Sequence, residues 1–477
     1  MLELKEIKRL IDRHKTSPAR TQARIARRYY NSEHDIKDYR LFYYDVDRML
    51  QEDKHRSNIK ISHPFFRELV EQCTSYLLSG GGDIVKSDNP DIDKELQTYF
   101  DDVFKSELAS LVTSSQVDGF AYLYMYKGID DKIRFKAVDG LGVIEVNSKL
   151  SQDGNEYIIY YYEDTIVDKK LNEVTIERVQ VWDKQGTHFY TLAKGKLELD
   201  KDVPRNPRPH ILYREADKLF YDVFDDIPFY RFDNNPKQES ELKAVKDLID
   251  DYDLHACSLS NDIQDMGTAL YVVRGYQGNN MDELQKNLKT KKIVGVGEEG
   301  GIDVKTVNIP YEARKIKLEL NEKNIYKFGF GFNSSQMGDG NITNVVIKSR
   351  YALLDLKCNR IEGNLRKLMK ELITVVLDEI NQNNETGYQV SDTYIELERN
   401  IITNELDNAD IEVKLTDAQA KRVQMLLGLT HILGEDVVLA QIGDVLDIDV
   451  TDIDLDTLQG ARLEVNRLSD LMVGMGQ

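Results

Sequence analysis

Cysteine, proline and long apolar runs are all scarce in this chain of 477 residues. Its three cysteines, Cys73, Cys257 and Cys358, lie far apart in sequence, each in a stretch of helical pattern. They make neither a disulfide framework nor a CxxC metal pair, which points to a reducing environment. Of only nine prolines, three crowd into DVPRNPRPH at 202–210, a loop by composition. No apolar run approaches the roughly 18 residues that a membrane span needs; the longest are short pieces such as LITVVL at 372–377. The opening MLELKEIKRLIDRHK is charged and amphipathic and lacks the apolar core of a secretory signal. A soluble, intracellular protein with no membrane partner is the expectation.

Catalytic signatures are missing too. A P-loop needs GxxxxGK followed by Ser or Thr, whereas Gly338 and Gly340 lead into Asn341, and Gly195-Lys196 has no glycine five positions earlier. The eight histidines form no HExxH and no pair at metal spacing. His63 and His255 read as satisfied structural residues. The acidic run DIDVTDIDLD at 447–456 puts Asp452 where a calcium loop requires glycine, so it reads as a solvated turn or helix start. No GxSxG is present, and no repeat of fixed period.

What the chain does have is charge and pattern. Asp and Glu total 83 against 63 Lys and Arg, a formal charge of −20. That balance disfavours non-specific adhesion to nucleic acid, which rests on cations releasing counterions, but leaves room for a protein past which nucleic acid slides. The first sixty residues are rich in Lys and Arg, and from Glu405 onward acids outnumber bases by roughly three to one.

The pattern is helical at the start: Leu2, Ile7 and Ile11, then Phe65 through Leu78 with a stop at Gly80–Gly82. From about 117 the period becomes two. VDGFAYLYMYKG, KIRFKAVDG, EYIIYYYED and VTIERVQVWD predict one antiparallel sheet region. A helix is expected from Pro236–Ser240 through Ile263 and a second over YEARKIKLELNEKNIYKFG at 311–329. Between them, ALYVVRGY, MDELQKNLK, KKIVGVG and IDVKTVNIP predict a small strand–helix–strand–strand insertion. Val345–Ile380 predicts one very long helix, with Gly363 marking a kink or close contact. TYIELERN reads as a short strand, and helix resumes from about Asp417.

Between the second and the very long helix stands GFGFNSSQMGDGNITNVVIK, 329–348, too flexible for a helix and without the chemistry of a phosphate cradle. Its neighbours supply the interpretation. SNIKISHPFFRELVEQCTSYLLSGG at 57–81, IPFYRFDNNPKQESELKAVKDLIDDYD at 227–253 and GNITNVVIKSRYALLDLKCNRIE at 340–362 occur in an order that resembles the portal proteins of long-tailed phages and prophages of Gram-positive bacteria. The resemblance runs from about residue 20 to 400 and leaves the acidic C-terminal residues matched only in helical character.

The resemblance implies an α+β portal fold and a closed ring of usually twelve copies at one vertex of the virion capsid, assembled in the host cytoplasm. It divides the chain into a wing (1–235), a stem helix (236–266), a clip (267–309), a returning stem helix (310–328), a tunnel loop (329–344), a long helix with the remaining wing (345–417) and a crown (418–477). Double-stranded DNA passes the axis during packaging and ejection. Asn333, Ser334, Ser335, Gln336, Gly338, Asp339, Gly340 and Asn341 then form a mostly uncharged loop against moving DNA, with Lys348 as a phosphate contact at its base. The clip carries Lys289, Lys291 and Lys292 toward acidic surfaces of the terminase large subunit and head-completion adaptors. Major capsid and scaffolding proteins are further implied partners. The resemblance implies no cofactor, metal or catalytic residue. A packaging-associated ATPase or nuclease is the main alternative and predicts a Walker motif or metal-binding acidic cluster. A virion protein without a DNA channel is the other, and it leaves the insertion between two helices unexplained.

Overall fold

The computed structural model describes residues 2–446 except 46, 55, 129, 148–153, 168–172, 194, 216–217, 266–269, 277–279, 281–283, 285–295, 306–310, 334–343 and 400–404. Helices α1 (Leu4–Lys15) and α2 (Pro18–Tyr30) open the chain. Ser17 caps α2 through its hydroxyl, and Pro18 takes the first turn, where no backbone donor is needed. A hairpin, β1 (Phe42–Tyr44) and β2 (Leu50–Glu52), precedes α3 (Phe65–Leu77), β3 (Val85–Lys86), α4 (Pro90–Tyr99) and α5 (Asp102–Asp118). Gly119 ends α5 at φ 94, a left-handed conformation that glycine adopts without steric cost.

The strand-rich middle holds two main sheets where the alternation predicts one region. Strands β4 (Phe120–Lys127), β5 (Ile133–Val138) and β13 (Phe229–Asp233) form a sheet in the order β13-β4-β5. β6 (Val143–Asn147), β7 (Asn155–Val167), β8 (Glu173–Asp183), β9 (Gly186–Ala193) and β10 (Lys196–Leu199) form a five-stranded antiparallel meander. A turn of 3-10 helix at Gly140–Gly142, capped by the Asp139 side chain, breaks the run between β5 and β6. Period two shows that strands exist, but not where one sheet stops. β11 (Ile211–Glu215) and β12 (Lys218–Asp222) make a separate hairpin after the proline-rich loop.

Next come α6 (Lys246–Asp265), β14 (Leu270–Tyr276), β15 (Val296–Lys305), α7 (Tyr311–Phe328) and α8 (Asn344–Asn384). Helix α6 starts later than expected, after a 3-10 turn at Glu241–Ala244. Asn235 is the cause: its Oδ1 accepts from the N–H groups of Lys237 and Glu239 at 3.1 Å, and its Nδ2 donates to the Glu239 carbonyl at 2.7 Å. These local bonds compete with helix for the same backbone groups. β15 is one continuous strand across residues that suggest the end of one strand and the start of another, and it pairs antiparallel with β14. The helical piece expected at MDELQKNLK lies outside the described residues, Leu284 excepted. Of the kink or close contact expected at Gly363, the close contact is missing, since a Cβ placed there meets no atom within 4 Å. The strand expected in TYIELERN is only β16 (Tyr394–Ile395), paired with β3.

The chain divides into two compact units, 1–337 with 350–401, and 338–349 with 402–477. In the first, α3, α4, α5 and the buried side of α8 enclose a core with the β13-β4-β5 sheet, centred on Phe100, Leu108, Leu123, Phe232, Leu365 and Leu372. Ile7 and Ile11 of α1 cover the five-stranded sheet, and Tyr29, Phe66, Leu69, Ile249 and Ile325 join α2, α3, α6 and α7. In the second, α9 (Glu405–Gly428), α10 (Thr430–Leu433) and α11 (Glu435–Leu446) are consecutive helices, and the Gln419 amide donates to the Val445 carbonyl at 3.1 Å. Helix α9 thus begins well before Asp417, the expected start. The architecture is α+β. Among the described residues no helix is long and apolar enough to cross a membrane.

Candidate functional site

The Gly-, Ser- and Asn-rich stretch after α7 is held in place where it begins, at residues 329–333. α7 packs antiparallel on α6: Asp262 pairs with Arg314 at 2.5 Å, and Asp251 meets Lys317 at 2.7 Å and the Asn321 amide at 2.6 Å. α6 carries six Asp and one Lys, while α7 carries five Lys or Arg and three Glu, so the pair is electrostatically matched. Burial pushes the Asp251 carboxyl up, but the bonds from Lys317 and Asn321 outweigh it and hold it below the usual carboxylate range.

At the end of α7 the N–H groups of Gly329 and Gly331 return to the carbonyls of Ile325 and Tyr326 at 2.8 and 2.9 Å. Between them Phe330 takes φ 57. Gly331 lies so near α3 that a Cβ would sit 2.2 Å from Leu69 Cδ2. Phe332 is then held twice by Gln72, whose Oε1 accepts from the Phe332 N–H at 3.0 Å and whose Nε2 donates to its carbonyl at 2.8 Å. The buried Phe332 ring stacks on Tyr351 of α8 at 4.7 Å and 21°. Tyr326 donates to Glu68 at 2.7 Å, and burial, then Glu68, raises its phenol.

Of the loop residues named from sequence, Asn333 is described, and its amide donates to Glu322 at 3.0 Å. Ser334, Ser335, Gln336, Gly338, Asp339, Gly340 and Asn341 lie outside the described residues, as do Lys289, Lys291 and Lys292 and the acidic run 447–456. Lys348 is exposed on α8. Gln72 and Tyr351 were not legible as part of this site. Gln72 reaches Phe332 across 260 positions, and nothing in its local pattern marks it.

Both histidines named from sequence are partnered, His63 with Asp253 at 2.7 Å and His255 with Asp251 at 3.3 Å. Cys73 and Cys358 meet with their sulfurs 3.5 Å apart in the core as free thiols. Among the described residues no group of three or more His, Cys, Asp or Glu is arranged for a metal ion. A small cleft beside β3 is lined by Lys86, Lys105, Glu396 and Asp83 over Leu77 and Ile84. Its cations are taken by Glu396 and Asp83. What the geometry supplies is a well-anchored lead-in, Gly329–Asn333, to the polar sequence that follows.

Comparison with known proteins agrees with a structural phage component. Residues 7–428 match the family described as phage portal protein, SPP1 Gp6-like. Two similar proteins are both named portal protein. One, from Bacillus phage SPP1, is 28% identical over 365 residues, covering 76% of this chain and 69% of its own length. The other, from Clostridium phage phiCD119, is 26% identical over 431 residues, covering 87% and 90%. The chain belongs to the SPP1 Gp6-like family of phage portal proteins.

Proposed function

We propose that the chain is the subunit of a closed ring at the portal vertex of a phage capsid, where double-stranded DNA enters during packaging and leaves at ejection. The family match over residues 7–428 carries this reading. In it, residues 236–266 and 310–328 are the stem, 267–309 the clip, 329–344 the tunnel loop, and 418–477 the crown. The remainder is wing, including the long helix that starts at 345. The reading assigns the chain no reaction. Its partners are its own copies, passing DNA, the terminase large subunit and head-completion proteins at the clip, and the capsid and scaffolding proteins around the wing.

The physics of the parts supports these roles. A channel must guide a polyanion without gripping it, and a chain of net charge −20 favours passage. A loop that meets moving DNA needs a firm root and an adaptable tip. Gln72, Tyr351 and Leu69 supply the root at Gly331–Phe332. The tip from Ser334 to Asn341 is Gly-, Ser- and Asn-rich, with Asp339 its one charge. Lys348 suits a weak phosphate contact, and Lys289, Lys291 and Lys292 give the clip a basic edge for acidic partner surfaces.

Native mass spectrometry and negative-stain microscopy of the full chain test the reading. Rings with an axial hole and a mass that is a multiple of 55.0 kDa are expected. A stable monomer with nucleotide-hydrolysing activity would overturn it.

A further inference from the structure

The β1–β2 hairpin is ordered yet covered on neither face. All six strand residues are exposed, Tyr44 at 71%. The register pairs Tyr44 with Leu50 and Phe42 with Glu52, so Phe42, Tyr44 and Leu50 share one largely apolar face with Glu52 at its edge. The turn is well built: Asp45 Oδ1 accepts from the N–H groups of Asp47 and Met49 at 3.0 and 2.8 Å. A two-stranded ribbon with both faces wet is marginal in water, and an apolar patch on an ordered arm marks an interaction surface.

The arm's position narrows the partner. The segment after it runs along one face of α6. Ser57 Oγ donates to Asp265 at 2.6 Å, the Ile59 N–H to Asn261 at 2.6 Å, the Ile61 N–H to Cys257 Sγ at 3.2 Å, and the His63 N–H to Asp253 at 3.0 Å. α7 meets α6 instead at Asp251 and Asp262, positions about 120° around the helix at roughly 100° per residue. The arm's anchor and α7 therefore flank α6 on different sides.

α7 bears the complementary surface. Ile316 and Leu320, one turn apart, are 62% and 51% exposed. Beside them lie Glu312, which makes no ion pair among the described residues, Glu319, whose contact to Lys315 is 4.0 Å, and exposed Lys323 at the far end of the same face. The arm brings Arg40 and Arg48, which also make no ion pair among the described residues. We infer that the hairpin clasps α7 of a neighbouring copy of this chain, with Phe42, Tyr44 and Leu50 over Ile316 and Leu320 and the two arginines toward Glu312 and Glu319. A head-to-tail ring needs two unlike surfaces on each subunit, and these two are unlike, complementary and on different flanks. The inference rests on the ring reading above.

The test uses the full chain with Tyr44→Asp and Leu50→Asp together. Ring assembly is expected to need at least a tenfold higher subunit concentration, while the melting of the dissociated subunit stays unchanged because these side chains cover no core. In a second arm, chains carrying Tyr44→Cys are mixed with chains carrying Leu320→Cys and oxidised. Disulfide-linked dimers between the two kinds of chain are expected, since the three native thiols are buried. Three results would overturn the clasp and leave the portal reading standing: assembly at the wild-type concentration, rings without the cross-link, or intact rings that merely fail to package DNA. A wild-type chain that stays monomeric overturns both.

Discussion

The carboxylate of Asp253 and the imidazole of His34 meet at 2.6 Å, Oδ2 to Nδ1, with both side chains buried. His63 Nδ1 and its backbone N–H reach the other carboxylate oxygen at 2.7 and 3.0 Å. The His34 ring lies flat on Tyr29 at 4.5 Å and 9°, and Tyr29 donates to Asp250. One α6 carboxylate thus locks the segment between α2 and α3 onto the helix.

Burial pushes the Asp253 carboxyl up, but the hydrogen bonds from His34 and His63 outweigh it, and the group ends below the usual carboxylate range. With a folded pKa under the unfolded value of about 3.9, its stabilisation is complete above that pH and is lost as pH falls through the folded value. Asp253→Asn should lower stability by about 3 kcal/mol at neutral pH and flatten the acid limb of the stability curve. Chemical denaturation between pH 3 and 7 checks this; parallel curves for the two proteins would refute it.

Arg27 binds Asp118 through Nε and Nη2 at 2.8 and 2.6 Å and reaches Asp139 at 2.6 Å, whereas among the described residues its neighbour Arg28 pairs with exposed Asp35 and Asp38. Asp118 is buried, so Arg27→Ala strands a carboxylate and should cost about 3 kcal/mol. Arg28→Ala should cost less than about 1 kcal/mol. Thermal melts of the two variants decide it, and equal losses would contradict the geometry.

Two glycines make opposite predictions. Gly331→Ala drives a Cβ into buried Leu69 and should lower stability by about 1–3 kcal/mol. Gly363→Ala meets nothing within 4 Å inside α8 and should raise it by up to about 1 kcal/mol through helix propensity. Calorimetry on both is the measurement, and a shared sign would show that one site is misjudged.

Removing Ser334–Gly340 takes away most of the proposed DNA-contacting segment and leaves its lead-in at Gly331–Phe332. Rings should still assemble, while DNA packaged per capsid falls severalfold in a packaging assay. Unchanged packaging would argue against contact between this loop and DNA.

Much of the helical framework was legible. α7 occupies Tyr311–Phe328 where its pattern predicts, and α8 runs Asn344–Asn384 against an expected Val345–Ile380. Long apolar periodicity survives tertiary packing because the buried stripe is what packing uses. The start of α6 was missed because Asn235 captures the backbone of Lys237 and Glu239, a short-range competition that periodicity does not register. The division of the strands between two sheets was missed because alternation records a buried face and not its partner.

At the candidate site the loop's composition was plain, and its root was not. The chain by itself determined the long helices, the strand-rich middle, the lack of a phosphate-cradle motif and the three blocks by which it resembles its family, since these depend on neighbouring residues alone. Only the tertiary structure brought Gln72 to Phe332, His34 and His63 to one carboxylate, and Cys73 to Cys358. Those contacts join positions up to 285 apart, and only the packing of whole helices selects which distant side chains meet.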